Sequence, residues 1–299
     1  MKIFLVGGTG FVGSHLYRHL SNQGHSVSVH DPSSDIRNAE EITQVISRRK
    51  PDALVHLAAI SSVPESFKHQ YETFEINFIG TLNVLMALRS SNFKGRMLYI
   101  GSGDVYGLLR DDELPVTEER LLKPKNPYAV SKVAAEALCY QWSQTSDFQI
   151  IMARPFNHVG PGQSERFALS NFARQIVEIQ LGKHNPELRV GDIDVTRDFT
   201  DVRDVVKAYG LLLEHGKNGE AYNVCSGKER SVRSLLLQLM KIAGVDARIE
   251  RDKERLRPSE QRRVFGSFDK LRKDTGWQPT IPIEQTLNDI LDDWRKKIS

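Results

Sequence analysis

The chain has 299 residues, 39% apolar and 26% charged, with a formal net charge of +3. This is the balance of an ordinary folded globular protein, which argues against a disordered or collagen-like chain and against a strongly basic nucleic-acid binder. Two cysteines, Cys139 and Cys225, make neither a disulfide framework nor a Cys/His metal cluster, no run reaches the roughly 18 uninterrupted apolar residues of a membrane span, and Met1–Val6 meets glycine too early for a signal-peptide core. A cytoplasmic protein with no metal, no membrane and no nucleic-acid partner is expected.

Taken in chain order, the first half alternates strands and helices. A strand over Ile3–Val6 is followed by a helix carrying Phe11, Leu16 and Leu20, then a strand over Ser26–His30. Ile42, Val45 and Ile46 mark a helix, Ala53–Ala59 a strand, Phe74–Leu88 a helix, Met97–Gly101 a strand, Tyr128–Trp142 a helix and Gln149–Ala153 a strand. Near-continuous apolar strands alternating with helices predict an α/β fold, a Rossmann-type doubly wound parallel sheet covered on both faces. The rhythm changes after Pro155. Helices are expected at Phe167–Leu181, Val202–Leu213, Ser231–Ala243 and Ile283–Ile298, a short strand at Ala221–Val224, and a polar, turn-rich stretch from Asn185 to Phe199. The length suits about two lobes. The expected division is residues 1–156 with about 195–228 for the first lobe. Residues from about 157–194 with 229–299 form a smaller C-terminal lobe, leaving a cleft between them.

Between the first strand and first helix lies Val6-Gly7-Gly8-Thr9-Gly10-Phe11-Val12-Gly13, which satisfies both GxGxxG and GxxGxxG. Glycines there permit a tight turn and a close backbone approach to a pyrophosphate, and the helix N-terminus offers amides and a positive dipole end. Asp31 closes the second strand 18 residues after Gly13, where a carboxylate would take the adenosine ribose hydroxyls and favour NAD over NADP. Arg37 stands near enough to complicate that preference. Further on, Tyr128 and Lys132 share one helical face. A phenol with an ordinary pKa near ~10 needs tuning for proton transfer, and a neighbouring ammonium and a cationic nicotinamide are expected to lower it. Ser102 ends the Met97–Gly101 strand, where its hydroxyl can hold a substrate oxygen beside Tyr128.

Together the glycine loop, Ser102 and Pro127-Tyr128-x-x-Ser131-Lys132 resemble the extended short-chain dehydrogenase/reductase family. His56-Leu57-Ala58-Ala59, Asn77-x-x-Gly80-Thr81, Arg154-Pro155-Phe156-Asn157 and Gly276-Trp277-x-Pro279 agree with it over essentially the whole chain. The resemblance implies a nucleotide-sugar enzyme with NADPH or NADH in the first lobe. It implies catalysis by Ser102, Tyr128 and Lys132. The cofactor would meet Gly7, Gly10, Phe11, Val12, Gly13, Asp31, Asp35, Ile36, Leu57, Ala58, Ala59, Tyr128, Lys132 and Pro155. It also implies a homodimer through the Thr73–Leu88 and Tyr128–Trp142 helices.

Within the family, Asn157-His158-Val159-Gly160-Pro161-Gly162-Gln163, Arg197-Asp198-Phe199-Thr200-Asp201-Val202-Arg203-Asp204, Tyr222-Asn223-Val224-Cys225-Ser226-Gly227 and Leu256-Arg257-Pro258-Ser259-Glu260 are similar to GDP-4-keto-6-deoxy-D-mannose reductases. The implied substrate is a GDP-linked keto-deoxy sugar, reduced at C4 to GDP-D-rhamnose or its C4 epimer. Ser102, Asp104, Tyr128, Asn157, Arg197, Arg257 and Glu260 would bind it, the two arginines by forking onto the diphosphate and Glu260 through the ribose hydroxyls. Ser131 is a further candidate for the sugar. His56, His158, Cys139, Cys225, Trp277 and Trp294 are read as structural. Asp104 stands where related 4,6-dehydratases carry a Glu base, one methylene longer. A dehydratase or 4-epimerase recycling tightly bound NAD is therefore a second reading. A non-catalytic NAD(P)-binding regulator is a third, against which the complete Ser102, Tyr128 and Lys132 set argues.

Charge is not spread evenly. Residues 251–263 hold six basic side chains against three acidic ones, which equals the whole formal excess of +3. An anion site for one small ligand is expected there.

Overall fold

The computed structural model describes residues 1–31, 34–252 and 261–299. Its first half runs β1 (Lys2–Val6), α1 (Phe11–Asn22), β2 (Ser26–Val29), α2 (Ala39–Arg49), β3 (Ala53–His56), α3 (Val63–Lys68), α4 (Gln70–Phe74), a π-helical turn (Glu75–Ile79), α5 (Gly80–Ser90), β4 (Arg96–Ile100), α6 (Pro127–Thr145) and β5 (Gln149–Pro155). The remainder is β6 (Asn157–Val159), α7 (Ala168–Gln180), β7 (Glu187–Val190), β8 (Thr196–Asp201), α8 (Val202–His215), β9 (Ala221–Val224), β10 (Glu229–Ser231), α9 (Val232–Ala243), β11 (Arg248–Arg251), α10 (Asp269–Thr275) and α11 (Ile283–Ile298).

Six strands form one sheet in the order β2-β1-β3-β4-β5-β9, with every pairing parallel. β3 is buried throughout and β1 and β4 nearly so, the pattern of strands covered on both faces. The chain leaves β1 toward β2 on one side and returns through α2 to β3 on the other. The strand order therefore reverses between β1 and β3, the position at which open parallel sheets bind ligands. The glycine loop opens at that point.

A second apolar core lies among α7, α9 and α11, formed by Phe172, Ile176, Leu236, Leu239, Leu287 and Ile290 with their neighbours. Two small sheets accompany it, β10-β8-β6 and β11-β7. The stretch expected to be turn-rich, Asn185–Phe199, in fact contains β7 and the start of β8. In β7, Leu188 and Val190 point inward while Glu187 and Arg189 stay exposed. This two-residue alternation is a half-buried strand that its polar composition concealed. The strand expected to reach Ala59 ends at His56, because the Leu57 and Ala58 amides both turn to the Val6 carbonyl, at 2.8 and 2.9 Å.

The apolar cores also divide the chain differently from the expected lobe boundaries. Val195 and Phe199 belong to the second core. Leu271 and Trp277, assigned by sequence to the C-terminal lobe, pack into the first core beside α8. The Trp277 indole donates to the Asp204 carbonyl at 3.0 Å, which pins this returning segment under the sheet. Cys139 and Cys225 are both buried free thiols. Among the described residues no helix is long and apolar enough to cross a membrane.

α6 starts where it does because Asn126, in extended conformation, accepts the Ala129 amide at 2.7 Å and Pro127 occupies the first turn. Asn126→Ala is expected to cost about 1 kcal/mol of stability, read as a lower denaturant midpoint at unchanged slope.

Candidate active site

The glycine loop is shaped by two different constraints. Gly7 has φ +84°, and a Cβ there would lie 2.4 Å from the Ala58 nitrogen, so the β1 and β3 loops can cross only over glycine. A Cβ at Gly13 would lie 2.4 Å from the Gly8 carbonyl oxygen. At Gly10 the protein itself makes no such demand, since a Cβ would meet only the Gly7 oxygen at an ordinary 3.7 Å. Gly10 is the N-cap of α1, and no side chain caps that end. The result is a concave, uncapped helix terminus over Phe11, Val12 and Gly13, which fits a dinucleotide pyrophosphate.

Toward the adenosine end, Asp31 is exposed beyond β2. Asp35 does not present a free carboxylate. Arg37 holds it with Nε at 2.8 Å and Nη2 at 2.6 Å, keeping it below the usual carboxylate range, and also reaches Glu75 at 3.4 Å. Ile36 is buried against Gly80, while the Asn83 amide donates to the Ile36 and Arg37 carbonyls, each at 3.0 Å. Leu57, Ala58 and Ala59 are half-buried where the β3 loop crosses the glycine loop.

Ser102, Tyr128 and Lys132 come together at the carboxyl end of β4. Ser102 caps the short turn Gly103–Tyr106 by accepting the Asp104 amide at 3.1 Å, and its hydroxyl is near enough to the Tyr128 phenol to favour the phenolate. One turn along α6, the Lys132 ammonium donates to the Ile100 carbonyl at 2.8 Å and sits 5.1 Å from the centre of the Tyr99 ring. All three are buried.

Burial pushes the Tyr128 phenol well above its ordinary range; the Ser102 hydrogen bond opposes this and the Asp104 carboxylate adds to it. The lowering expected from Lys132 is not seen in the protein alone: desolvation of the phenolate sets the direction, and Ser102 is what opposes it. Burial also lowers Lys132, to about 8.

Two supporting groups escaped the sequence reading. Asn77, in the π-helical turn, accepts the Ile60 amide at 2.8 Å and donates to the Ile60 carbonyl and to Ser131 Oγ, at 3.1 and 2.9 Å. Ser131 is fully buried and donates to the Tyr128 carbonyl at 2.7 Å, so it ties α6 to the β3 loop and does not face a sugar. The second group is a buried polar chain. Glu136 pairs with Arg154 at 2.6 Å, Arg154 donates to the Tyr106 hydroxyl at 2.8 Å, and Tyr106 donates to Asn223 at 2.6 Å. It joins α6, β5, the Ser102 turn and β9. The available signal was Glu136 itself, a charge one turn beyond Lys132 on the same face.

Residues 29–290 match the family described as GDP-mannose 4,6 dehydratase. The chain belongs to that family. It is 45% identical over 305 residues to the GDP-6-deoxy-D-mannose reductase of Pseudomonas aeruginosa, covering 99% of this chain and 98% of that one. The solved structure of RMD from Pseudomonas aeruginosa complexed with NADPH superposes with a TM-score of 0.93, at 45% identity and 99% coverage of both chains. A UDP-glucose 4-epimerase from Thermus thermophilus, in complex with NAD, gives a TM-score of 0.88 at 26% identity, again with 99% of both chains covered. The fold is that of the extended short-chain dehydrogenases/reductases.

Of the residues expected to meet the substrate, Asp104 and Asn157 are exposed, Asn157 opening β6 opposite Phe199 of β8. Arg197 is half-buried on β8 opposite Arg230, with Nη1 donating to the Thr196 carbonyl at 2.7 Å. Pro155 ends β5 and is buried. Arg257 and Glu260 lie outside the described residues. His56 is buried against Thr81 Oγ1 at 3.0 Å, and burial holds it neutral at about 3. His158 stacks on Phe11 with an interplanar angle of 10°. The Trp294 indole donates to Ser170 Oγ at 3.0 Å in the second core. Among the described residues no group of His, Cys, Asp and Glu could hold a metal ion.

A lysine at about 8 gives the folded protein fewer bound protons than the unfolded chain between there and roughly 10.5. Its contribution therefore makes stability rise with pH across that window. In cofactor-free protein, a Lys132 ¹³Cε titration is expected to show a midpoint near 8, and Lys132→Met to remove that part of the stability slope.

Proposed function

We propose that the chain reduces the C4 keto group of GDP-4-keto-6-deoxy-D-mannose to GDP-D-rhamnose, or to its C4 epimer, with NADPH or NADH. The observation that carries the chemistry is the buried Tyr128 phenol, set by Ser102 and one turn from Lys132, at the same carboxyl end of the parallel sheet as the glycine loop. The sugar nucleotide follows from the 45% identity to a GDP-6-deoxy-D-mannose reductase over nearly all of both chains.

The cofactor's pyrophosphate would rest on the Gly10–Gly13 amides, its ribose near Asp31 and its nicotinamide end near Tyr128, Lys132 and Pro155. When bound in reduced form it supplies the hydride for C4. A reductase needs an acid at the carbonyl oxygen, and the raised Tyr128 phenol stays protonated at neutral pH. Tyr128 gives that proton to the C4 oxygen. Ser102 donates to the same oxygen and orients it, and the Lys132 ammonium stabilises the phenolate until it regains a proton from solvent. Arg197, Arg257, Asn157 and Glu260 hold the nucleotide, and Asp104 lines the sugar.

Tyr128→Phe is expected to lower kcat by ~10²–10⁴-fold, the usual worth of a general acid, with little change in NADPH affinity. The assay follows oxidation of reduced cofactor with the keto sugar nucleotide and identifies the product. Stoichiometric oxidation supports reduction. Turnover without net oxidation, together with NAD retained through purification, is the outcome expected of a 4,6-dehydratase or 4-epimerase. Near-normal turnover in Tyr128→Phe overturns the proton-donor role.

The same reading makes the protein a cytoplasmic homodimer. Its support is exposed apolar surface on neighbouring helices: Phe67 on α3, Tyr71 on α4, Ile79 in the π-helical turn, and Val130 and Tyr140 on α6. The double variant Tyr71→Glu, Tyr140→Glu is expected to sediment as a monomer where the parent sediments as a dimer.

A further inference from the structure

The segment after residue 260 is sewn to two different parts of the molecule. On one side, the Thr196 amide donates to the Arg262 carbonyl at 2.8 Å and the Val264 amide to the Thr196 carbonyl at 3.3 Å. Arg263 also holds Glu229 of β10 with Nε and Nη2, both at 2.8 Å. On the other side, the Val116 amide donates to the Phe265 carbonyl at 3.0 Å, the Ser267 amide to the Val116 carbonyl at 2.9 Å, and Arg263 pairs with Asp111 at 2.9 Å. This seam therefore runs between β8, which carries Arg197, and the loop that continues from the Ser102 turn.

Gln261 closes the seam nearest to that turn. Its carboxamide accepts the Leu109 amide at 3.0 Å and donates to the Leu109 carbonyl at 2.8 Å and the Arg263 carbonyl at 2.9 Å. The side chain thus imitates a neighbouring strand for one residue, a buried leucine three residues beyond the Ser102 turn. In sequence Gln261 directly follows Glu260, the residue given to the nucleoside ribose, and Thr196 directly precedes Arg197, given to the diphosphate. The grip given to Arg197 is thereby fixed in register with the loop at the keto end.

We infer that Gln261 is a positioning residue that sets where the C4 carbonyl lands relative to Ser102 and Tyr128 when the nucleotide is gripped. It touches neither reacting atom; it acts through the Leu109 peptide. The inference rests on the reductase reading. A rigid link of this kind converts remote binding into alignment at the reacting carbon, and misplacement of about 1 Å can cost ~10²-fold in rate.

The test is Gln261→Ala in the full-length protein, read by three numbers: kcat on GDP-4-keto-6-deoxy-D-mannose, the inhibition constant of GDP alone, and KM for NADPH. The expected result is a fall in kcat of at least ~10-fold, with the GDP constant and NADPH KM held within about twofold. Unchanged kcat overturns the inference. So does a GDP constant that weakens in parallel with kcat, since Gln261 would then serve the grip and not the alignment. Should the alanine variant fail to fold, Gln261→Met, which keeps length and bulk, is read by the same numbers. Failure of both to fold overturns it as well, because the contact would then be holding the fold. Absence of turnover in the unmodified protein overturns the reductase reading and the inference with it, whereas equal turnover in parent and variant overturns the inference alone.

Discussion

A buried ammonium is the constraint around which the catalytic end of the first lobe is built. Lys132 is almost wholly out of water, and its charge is met by the Ile100 carbonyl and the face of the Tyr99 ring. Desolvating a cation is costly unless its hydrogen bonds are well placed. α6 must therefore lie closely along β4, and that same approach puts Tyr128 against Ser102. The low pKa of Lys132 and the high pKa of Tyr128 are two results of one burial.

The rest of the site reads as bracing for that approach. Ser131 and Asn77 bind α6 to the β3 loop, which in turn crosses the glycine loop at Gly7. Glu136, Arg154, Tyr106 and Asn223 bind α6 to β5, to the Ser102 turn and to β9. Burying an ion pair is weak evidence for stability, since an apolar replacement often serves as well. What this chain of polar groups supplies is a fixed angle, because an Arg–carboxylate fork is planar and tolerates little rotation. The glycine loop, Tyr128 and Ser102 are thus mechanically one piece, with the β10-β8-β6 sheet attached through the seam at residues 261–267.

Much of this was legible in the residues. The strand–helix rhythm, the glycine loop and the Tyr128–Lys132 spacing are local patterns, and local patterns survive in a single sequence. β7 was not legible because polar residues on its outward face masked the period-two burial, and β8 because most of what it buries is polar: Asp198, Thr200 and Asp201. The lobe boundaries were missed because Leu271 and Trp277 return to the first core after a long excursion, and such a return leaves no mark in composition. The direction of the Tyr128 shift was missed because proximity of a cation can be read from spacing, whereas desolvation depends on everything packed around the ring. Ser131 lies on the helix face that would meet a substrate, but its hydroxyl is taken by Asn77, a partner 54 residues away that helix spacing cannot show.

The strand order has one more consequence. β2 is the outermost strand of the main sheet, only four residues long and half-buried. The adenosine end of a dinucleotide would thus sit at the margin of the sheet, beside Asp31, Asp35 and Arg37, with no further strand outside β2 among the described residues. A reductase consumes its cofactor in every cycle and must shed a spent molecule before it can work again, while enzymes that regenerate theirs gain by locking it in. Because the superposable 4-epimerase shares this sheet, whatever decides between releasing and retaining the cofactor has to lie in the side chains at that margin and not in the strand order.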